Sequence, residues 1–203
     1  MRDLRGGVLA AIVAAIVGLV PIQGRAVESK EVSCDGFVLG YTGAGAKKDC
    51  RQADLSSGTA SSEVSQLEVN GDKFVMIVSY YQSGFRTYYP LTPLEKLAER
   101  NGSFSRLDDW QGSRRVAGFD LEAFSATLQQ AKSPIYCAVF SKYGGEVGRS
   151  GEVARLELGG GPGYKNFLVG FYCSRFTATG SEPPPPDFFL EAEAALLAIR
   201  QPL

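Results

Sequence analysis

Four cysteines, at positions 34, 50, 137 and 173, constrain the fold of this chain more than any other feature. Their spacing includes no C-x-x-C motif, which disfavours a redox-active pair or a zinc site. Cys34 and Cys50 flank a segment rich in glycine and lysine, whereas Cys137 and Cys173 lie in apolar, strand-like segments. Of the three possible pairings, the spacing favours Cys34–Cys50 with Cys137–Cys173. We therefore expect two structural disulfide bonds.

The chain contains no histidine, which is the commonest general base and the commonest metal ligand in proteins. Histidine-dependent catalytic triads are therefore excluded, and we expect no metal site and no cofactor. The glycine-rich stretch 159–165 does not match a phosphate-binding loop, because Tyr164 precedes its lysine and Asn166 follows it. A flexible hairpin loop is the simpler interpretation of that stretch.

The N-terminal segment 1–26 has the pattern of a secretion signal. Arg2 and Arg5 precede an uncharged apolar stretch over 8–22, and Gly24 and Ala26 fit the small-x-small rule for cleavage after Ala26. An uncleaved membrane anchor is the alternative, but a spanning helix needs about 20 apolar residues, more than this stretch supplies. We therefore expect export to a periplasmic or extracellular compartment, where disulfide bonds form and persist.

Removal of the segment 1–26 leaves 27–203, a length that suits one domain. We expect a single globular domain over 27–181, followed over 182–203 by a polyproline spacer and a helix that docks on the domain. The shortened chain carries 18 basic and 21 acidic side chains, for a net charge of about −3. A weakly acidic chain without a basic block is not expected to bind nucleic acid or to span a membrane.

The apolar pattern predicts an α+β fold, with a mixed, mostly antiparallel sheet of five or six strands and two or three helices. Segments 64–69 and 73–81 form a hairpin signal around turn residues 70–72, and 85–89 is a plausible third strand. Thr92 and Glu95 suggest a capped helix that ends near residue 101. A second helix is predicted from Asp120 to Ala131, after a loop over 103–118. Three further strands, 135–143, 152–158 and 166–176, are expected to form a meander.

Two surfaces are candidates for ligand binding. The first combines Trp110 with Arg114 and Arg115, because two arginines could clamp a carboxylate or a phosphate. The second is an aromatic strip that could stack on sugar rings or contact a protein partner, although about half of its residues must face the core. Its tyrosines are Tyr80, Tyr81, Tyr88 and Tyr89.

We predict no catalytic residues, and a non-catalytic, disulfide-stabilised binding module is the favoured function. Its ligand is a protein, a glycan or a small anion of unknown identity. The alternative is a carboxylate-dependent hydrolase that acts on envelope or extracellular glycans, which requires two carboxylates about 5 to 9.5 Å apart. The acidic residues available for that role are Glu63, Glu68, Asp108, Asp109, Asp120 and Glu122.

Overall fold

The computed structural model describes residues 29–55, 62–84, 89–101, 104–128, 134–147, 163–177 and 184–203. The predicted signal segment 1–26, Tyr88 and the predicted strand 152–158 lie outside these ranges. Eleven strands and two helices are found within them. The strands are β1 (Lys30–Val32), β2 (Gly40–Tyr41), β3 (Lys47–Asp54), β4 (Ser62–Asn70), β5 (Phe74–Ser83), β6 (Tyr89–Pro90), β7 (Phe104–Val116), β8 (Phe119–Leu128), β9 (Pro134–Val147), β10 (Gly163–Thr177) and β11 (Ile199–Arg200); the helices are α1 (Leu94–Glu99) and α2 (Pro186–Leu197).

One large antiparallel sheet dominates the structure. Its strand order is β1-β3-β4-β5-β10-β9-β8-β7, and β6 pairs with an end of β10. Strands β11 and β2 form a separate antiparallel pair. The predicted α+β class is therefore wrong, because the described residues are mostly β, with only two helices beside a sheet of eight to nine strands.

The helix predicted from Asp120 is strand β8, and burial on both faces explains the error. Leu121 and Ala123 pack on one face of the sheet, while Phe124 and Ala126 pack on the other. A strand covered on both sides loses the polar–apolar alternation that identifies a half-buried strand. Apolar residues then recur at steps of three and four along the strand, which imitates an amphipathic helix.

Residues 103–118 were predicted as a loop, but 104–116 form the edge strand β7. Its many charged residues suit an exposed edge, since charge discourages pairing with another chain. The turn to β8 consists of Ala117 and Gly118, both with positive φ, 52° and 82° respectively. Such turns normally carry asparagine or glycine at the first position, so an alanine there conceals the hairpin in the sequence.

The hairpin predicted around residues 70–72 is confirmed, with β4 and β5 paired from Ser62–Ser83 to Asn70–Val75. The predicted cap of the following helix is wrong in detail. Helix α1 begins at Leu94 after Pro93, without a side-chain cap. The backbone amide of Thr92 instead donates a hydrogen bond to the Tyr143 hydroxyl at 2.9 Å.

The predicted meander over 135–176 is also corrected. Strand β10 pairs with β9 on one side and with β5 on the other. Strands β9 and β10 are therefore direct neighbours, and the predicted order with a third strand between them is wrong.

The sheet carries an apolar core on each face. Helix α2 contributes Phe188, Ala192, Ala195 and Leu196 to one core, and we call that side the α2 face. Helix α1 contributes Leu94 to the other core, and we call that side the α1 face. Both faces of the central strands are therefore shielded from water.

Gly170 in β10 allows the tightest contact on the α2 face. A Cβ at this position would lie 2.6 Å from Cε2 of Phe140 and 2.7 Å from the carbonyl oxygen of Ile77. Both distances are far below van der Waals contact, so only glycine fits without movement of the sheet.

The two disulfide bonds lie on opposite faces of the sheet. Cys34–Cys50 joins the segment after β1 to β3 on the α2 face. Cys137–Cys173 joins directly opposed residues of β9 and β10 on the α1 face, where both cysteines are buried. These are the pairs that the sequence spacing favours.

Candidate functional site

A cleft of about 280 Å³ opens on the α2 face beside the Cys34–Cys50 disulfide bond. It lies between the chain segment 34–42, strands β3 and β4, and the C-terminal strand β11. Ten residues line it: Cys34, Asp35, Gly36, Leu39, Gly40, Tyr41, Thr42, Lys48, Leu67 and Arg200. Eight of these ten belong to the segment that the Cys34–Cys50 bond closes, so this crosslink organises most of the wall.

A tight turn forms the outer part of the wall. The Phe37 amide donates a hydrogen bond to the Cys34 carbonyl oxygen at 3.3 Å. Gly36 has a φ of 73°, a left-handed conformation that glycine adopts at little cost. Asp35, also in this turn, is fixed through its backbone amide, which donates to Ser33 Oγ at 3.2 Å. The turn therefore holds Asp35 at the rim of the cleft.

The inner part of the wall is tied to the end of helix α2. The amide and the hydroxyl of Thr42 both donate to the Ala198 carbonyl oxygen, at 2.9 and 3.1 Å. Residues Tyr41 and Ile199 are paired in the β2–β11 ladder. These bonds connect the crosslinked segment to the C-terminal residues, and so bring Arg200 to the cleft.

Arg200 lies over the backbone of Gly40, its partner in the same ladder. A Cβ at Gly40 would lie 3.0 Å from both Nε and Nη2 of Arg200. The absence of a side chain at Gly40 therefore makes room for the guanidinium group.

Lys48 provides a second positive charge at the cleft. It lies in β3 on the same face as Cys50, since alternate residues of a strand share a face. Leu39 and Leu67 lie beneath these charges and are fully buried in the core, so they close the base of the cleft. Burial also raises the pKa of Tyr41, so its phenol stays protonated near neutral pH. The cleft thus combines two cations, one carboxylate and a protonated phenol.

Trp110 and the two predicted arginines are not brought together at one pocket. Trp110 packs on the α1 face against Phe124, with ring centroids 4.5 Å apart. The guanidinium of Arg114 lies 3.9 Å from the ring centroid of Phe189, which belongs to helix α2 on the other face. Register shifts in β7 between residues 108 and 114 separate these side chains. Arg115 lies opposite Asp120 and is exposed.

The tyrosines of the predicted aromatic strip are mostly buried. Tyr80 and Tyr81 are each 5% exposed and face opposite sides of the sheet. Tyr89 is half-buried and exchanges a hydrogen bond with Ser62 at 2.8 Å. Burial raises the pKa of Tyr81 and of Tyr89, which suits phenols that serve in packing.

Two of the candidate acidic residues, Glu68 and Glu122, are buried on the α1 face at 6% and 8% exposure. Ser113 donates to Glu122 at 3.3 Å. Burial raises the pKa of Glu122, and the nearby charge of Glu95 raises it further. Both carboxylates lie in one cross-strand row, through Ile77, Phe171 and Val139. They are four strand spacings apart, about 19 Å, which is too far for a glycosidase pair.

Three of the other four candidate acids have individual partners. Asp109 accepts a hydrogen bond from Ser125 at 2.7 Å, and Asp120 lies on the exposed end of β8. Glu63 accepts from Gln52, and Asp108 forms an ion pair with Arg106 at 2.5 Å.

One acidic pair was not recognised from the sequence. Asp49 lies directly opposite Glu68, and side chains in that relation have Cβ atoms about 5 Å apart. Asp49 forms an ion pair with Lys47 at 3.3 Å, and Asn70 donates to Glu68 at 2.5 Å. The pairing of β3 with β4 was not predicted from the sequence, so this proximity was missed.

The cleft residues Lys48 and Arg200 were also missed. They are far apart in sequence, and only the β2–β11 ladder brings them to one site. The alternation in KKDCRQAD does place Lys48 and Cys50 on one face, which was the available signal.

Within the described ranges, no group of three or more acidic or cysteine side chains is arranged to hold a metal ion. Neither described helix is long and apolar enough to cross a bilayer. Comparison with family models, curated proteins and solved structures finds no significant match to this chain.

Proposed function

We propose that this protein is an exported, disulfide-stabilised binding module whose ligand site is the cleft beside Cys34–Cys50. The main support for this proposal is that eight of the ten cleft residues belong to the segment closed by that disulfide bond. A crosslink at this place fixes the two ends of a segment whose Leu39 and Tyr41 pack in the core on the α2 face. Preorganisation of that kind reduces the entropy that ligand binding must offset.

Export is supported by two independent features. The segment 1–26 has the charged start, apolar middle and small-residue end of a cleavable signal. Two disulfide bonds are typical of proteins in oxidising compartments. Mass spectrometry of the protein from its own cells tests both features. A mature chain that begins at Val27 and has no free thiol is expected; a full-length, reduced chain would contradict export.

The binding role is supported by the size of the cleft. Its volume of about 280 Å³ is near the lower end of ligand pockets, which begin at roughly 300 Å³. A small molecule is therefore a better match for this cleft than an extended polymer.

A fragment screen by ligand-observed NMR tests whether the cleft binds small molecules. The variant Thr42→Trp places a bulky ring at the cleft wall, and its control Gly112→Trp places one on the exposed edge strand β7, where a Cβ has open space. Fragments that bind the wild-type chain and the control, but not Thr42→Trp, would support the site. Fragment binding that is equal in all three proteins would contradict it.

A carboxylate-dependent glycan hydrolase is the second candidate function, and the opposed pair Asp49 and Glu68 is the feature that favours it. The binding-module proposal predicts no release of reducing ends from envelope glycans by the wild-type chain. Release that Glu68→Gln abolishes, while its fold is retained, would establish the hydrolase instead.

A further inference from the structure

The two disulfide bonds differ in their access to solvent. Cys137 and Cys173 are 0% and 3% exposed, so both ends of that bond lie in the core on the α1 face. Cys50 is 3% exposed as well, but its partner Cys34 is half-buried and packs against the core on the α2 face. Of the four cysteines, Cys34 is therefore the one that a reagent in solution can reach.

The accessible end of the Cys34–Cys50 bond belongs to the cleft. Cys34 is one of the ten residues that line the cleft, whereas Cys50 is not. The next two residues, Asp35 and Gly36, line it as well, in the turn that the Phe37 amide closes on the Cys34 carbonyl oxygen. A small molecule in the cleft therefore lies next to Cys34 without entering the core.

Thiol–disulfide exchange requires access to only one of the two sulfur atoms. A thiolate attacks one sulfur and displaces the other, so exposed disulfide bonds are the labile ones and buried bonds resist reduction. In the Cys34–Cys50 bond the sulfur open to attack is that of Cys34, and the sulfur displaced is that of Cys50. The fold thus selects one bond and one direction of exchange.

We propose that a small thiol enters the cleft, attacks Sγ of Cys34 and forms a mixed disulfide there. The bond from Cys34 to Cys50 breaks, and its electron pair stays on Sγ of Cys50. The proton that the incoming thiol lost on forming its thiolate balances the one that Cys50 takes up. The sulfur of the small thiol is oxidised and that of Cys50 is reduced. Attack by the Cys50 thiolate on Cys34 reverses the reaction, releases the small thiol and restores the original bond.

The adduct on Cys34 regulates the cleft, a consequence that rests on the proposed function of the cleft as the ligand site. Because Cys34 lines the cleft, the added group takes up part of its volume of about 280 Å³. The rest of the segment keeps its own contacts, since Leu39 and Tyr41 are buried and the Thr42 amide donates to the Ala198 carbonyl oxygen. The fold is therefore retained while a ligand of the cleft is displaced.

Peptide mapping after exposure to 2-mercaptoethanol, a small uncharged thiol, locates the adduct on the wild-type chain. The folded, oxidised protein is incubated with the thiol, quenched with N-ethylmaleimide and digested with trypsin, which cleaves between the two cysteines of each bond. We expect a mercaptoethanol adduct on Cys34, maleimide on Cys50 and an intact Cys137–Cys173 bond. An adduct found on Cys50 instead would contradict the proposed direction of exchange.

The rates of the two bonds show whether the fold causes the selectivity. In the folded chain the Cys34–Cys50 bond is expected to react at least roughly tenfold faster than the Cys137–Cys173 bond. In urea that unfolds the chain the two rates should become similar, because all four cysteines are then exposed. Equal rates in the folded chain, or faster reaction of Cys137–Cys173, would overturn the proposal.

Two variants compare the accessibility of each sulfur directly. Cys50→Ala leaves Cys34 as a free thiol, and Cys34→Ala leaves Cys50; both lack the same disulfide bond and keep Cys137–Cys173. Reaction with dithionitrobenzoate should be at least roughly tenfold faster for Cys34 than for Cys50. Equal rates in two variants that keep the wild-type circular dichroism spectrum would refute the assignment of Cys34. If either variant does not fold, the peptide map of the wild-type chain decides.

Binding of cleft fragments to the modified protein separates this proposal from the proposed function. Fragments that bind the cleft of the wild-type chain should not bind the adduct, and should bind again after the thiol is removed and the Cys34–Cys50 bond has closed. Unchanged fragment affinity in the adduct would refute the regulation. If no fragment binds the wild-type chain, the ligand site fails while exchange at Cys34 stands. If fragments bind but Cys34 forms no adduct, the exchange fails while the ligand site stands.

Discussion

Removal of the two disulfide bonds should separate global stability from the order of the cleft. The variants are Cys34→Ala with Cys50→Ala, and Cys137→Ala with Cys173→Ala. We expect the second double variant to lower the free energy of unfolding more than the first. We expect the first double variant to reduce the order of the cleft more than the second. The indicator of cleft order is the amide of Thr42, which is bonded to the end of helix α2.

The expected magnitudes follow from the loops that the bonds close. The sequence separations are 16 for Cys34–Cys50 and 36 for Cys137–Cys173. Chain-entropy theory gives about 3.1 kcal/mol for the shorter loop and about 3.8 kcal/mol for the longer one. Cys137 and Cys173 are 0% and 3% exposed, so both replacements leave small cavities that add to the larger value, whereas only Cys50 of the first pair is buried to that degree, at 3%.

Urea denaturation measures the global free energy, and native-state hydrogen exchange measures protection at Thr42 relative to the central-strand amide of Phe140. Loss of Cys34–Cys50 should lower the Thr42 protection more than the Phe140 protection. Loss of Cys137–Cys173 should lower the protection at Thr42 and at Phe140 equally, in parallel with the global free energy of unfolding. The reasoning is refuted if Thr42 keeps its relative protection without the Cys34–Cys50 bond, because the crosslink would then not organise the cleft.

Three further predictions concern packing, pH and surface contacts. Gly170→Ala should cost about 3 kcal/mol in urea denaturation, because its methyl group meets an aromatic ring and a strand carbonyl, while Gly112→Ala, which has open space, should change stability by less than about 0.5 kcal/mol. Burial raises the pKa of Glu122, so the folded state binds its proton more tightly than the unfolded state, and stability is lost as pH rises from about 4.5 through the raised pKa. Urea midpoints at acidic and neutral pH should therefore show that Glu122→Gln gains stability relative to the wild type as pH rises, and an equal difference at both would contradict this. Arg114→Ala should cost about 0.5 to 1 kcal/mol through its lost contact with an aromatic ring, whereas the exposed Arg115→Ala should lie within about 0.5 kcal/mol of the wild type; equal losses would contradict the contact.

Sequence patterns predicted strands and turns correctly where the structure depends on alternation along one strand or on the residues of one turn. The hairpin from β4 to β5 followed from turn residues between two apolar runs. The strand predicted over 166–176 lies within β10. In these segments neighbouring residues carry enough information, because the period of a strand and the chemistry of a turn are local properties.

Tertiary contacts decided the segments where local signals failed. Strand β8 resembled a helix because it is covered on both faces, and that coverage comes from distant parts of the chain. The turn at Ala117 was hidden because alanine rarely adopts positive φ, and pairing of β7 with β8 supplies the compensating energy.

The sequence by itself determined the crosslinks, the hairpin of β4 and β5, and the absence of histidine chemistry. These depend on which residues are present and on spacings along the chain. Only the tertiary structure decided the all-antiparallel sheet and the cleft, since Lys48 and Arg200 meet through a ladder between segments far apart in sequence. Pairing partners of strands are set by burial of whole faces, a property that no short stretch of sequence contains.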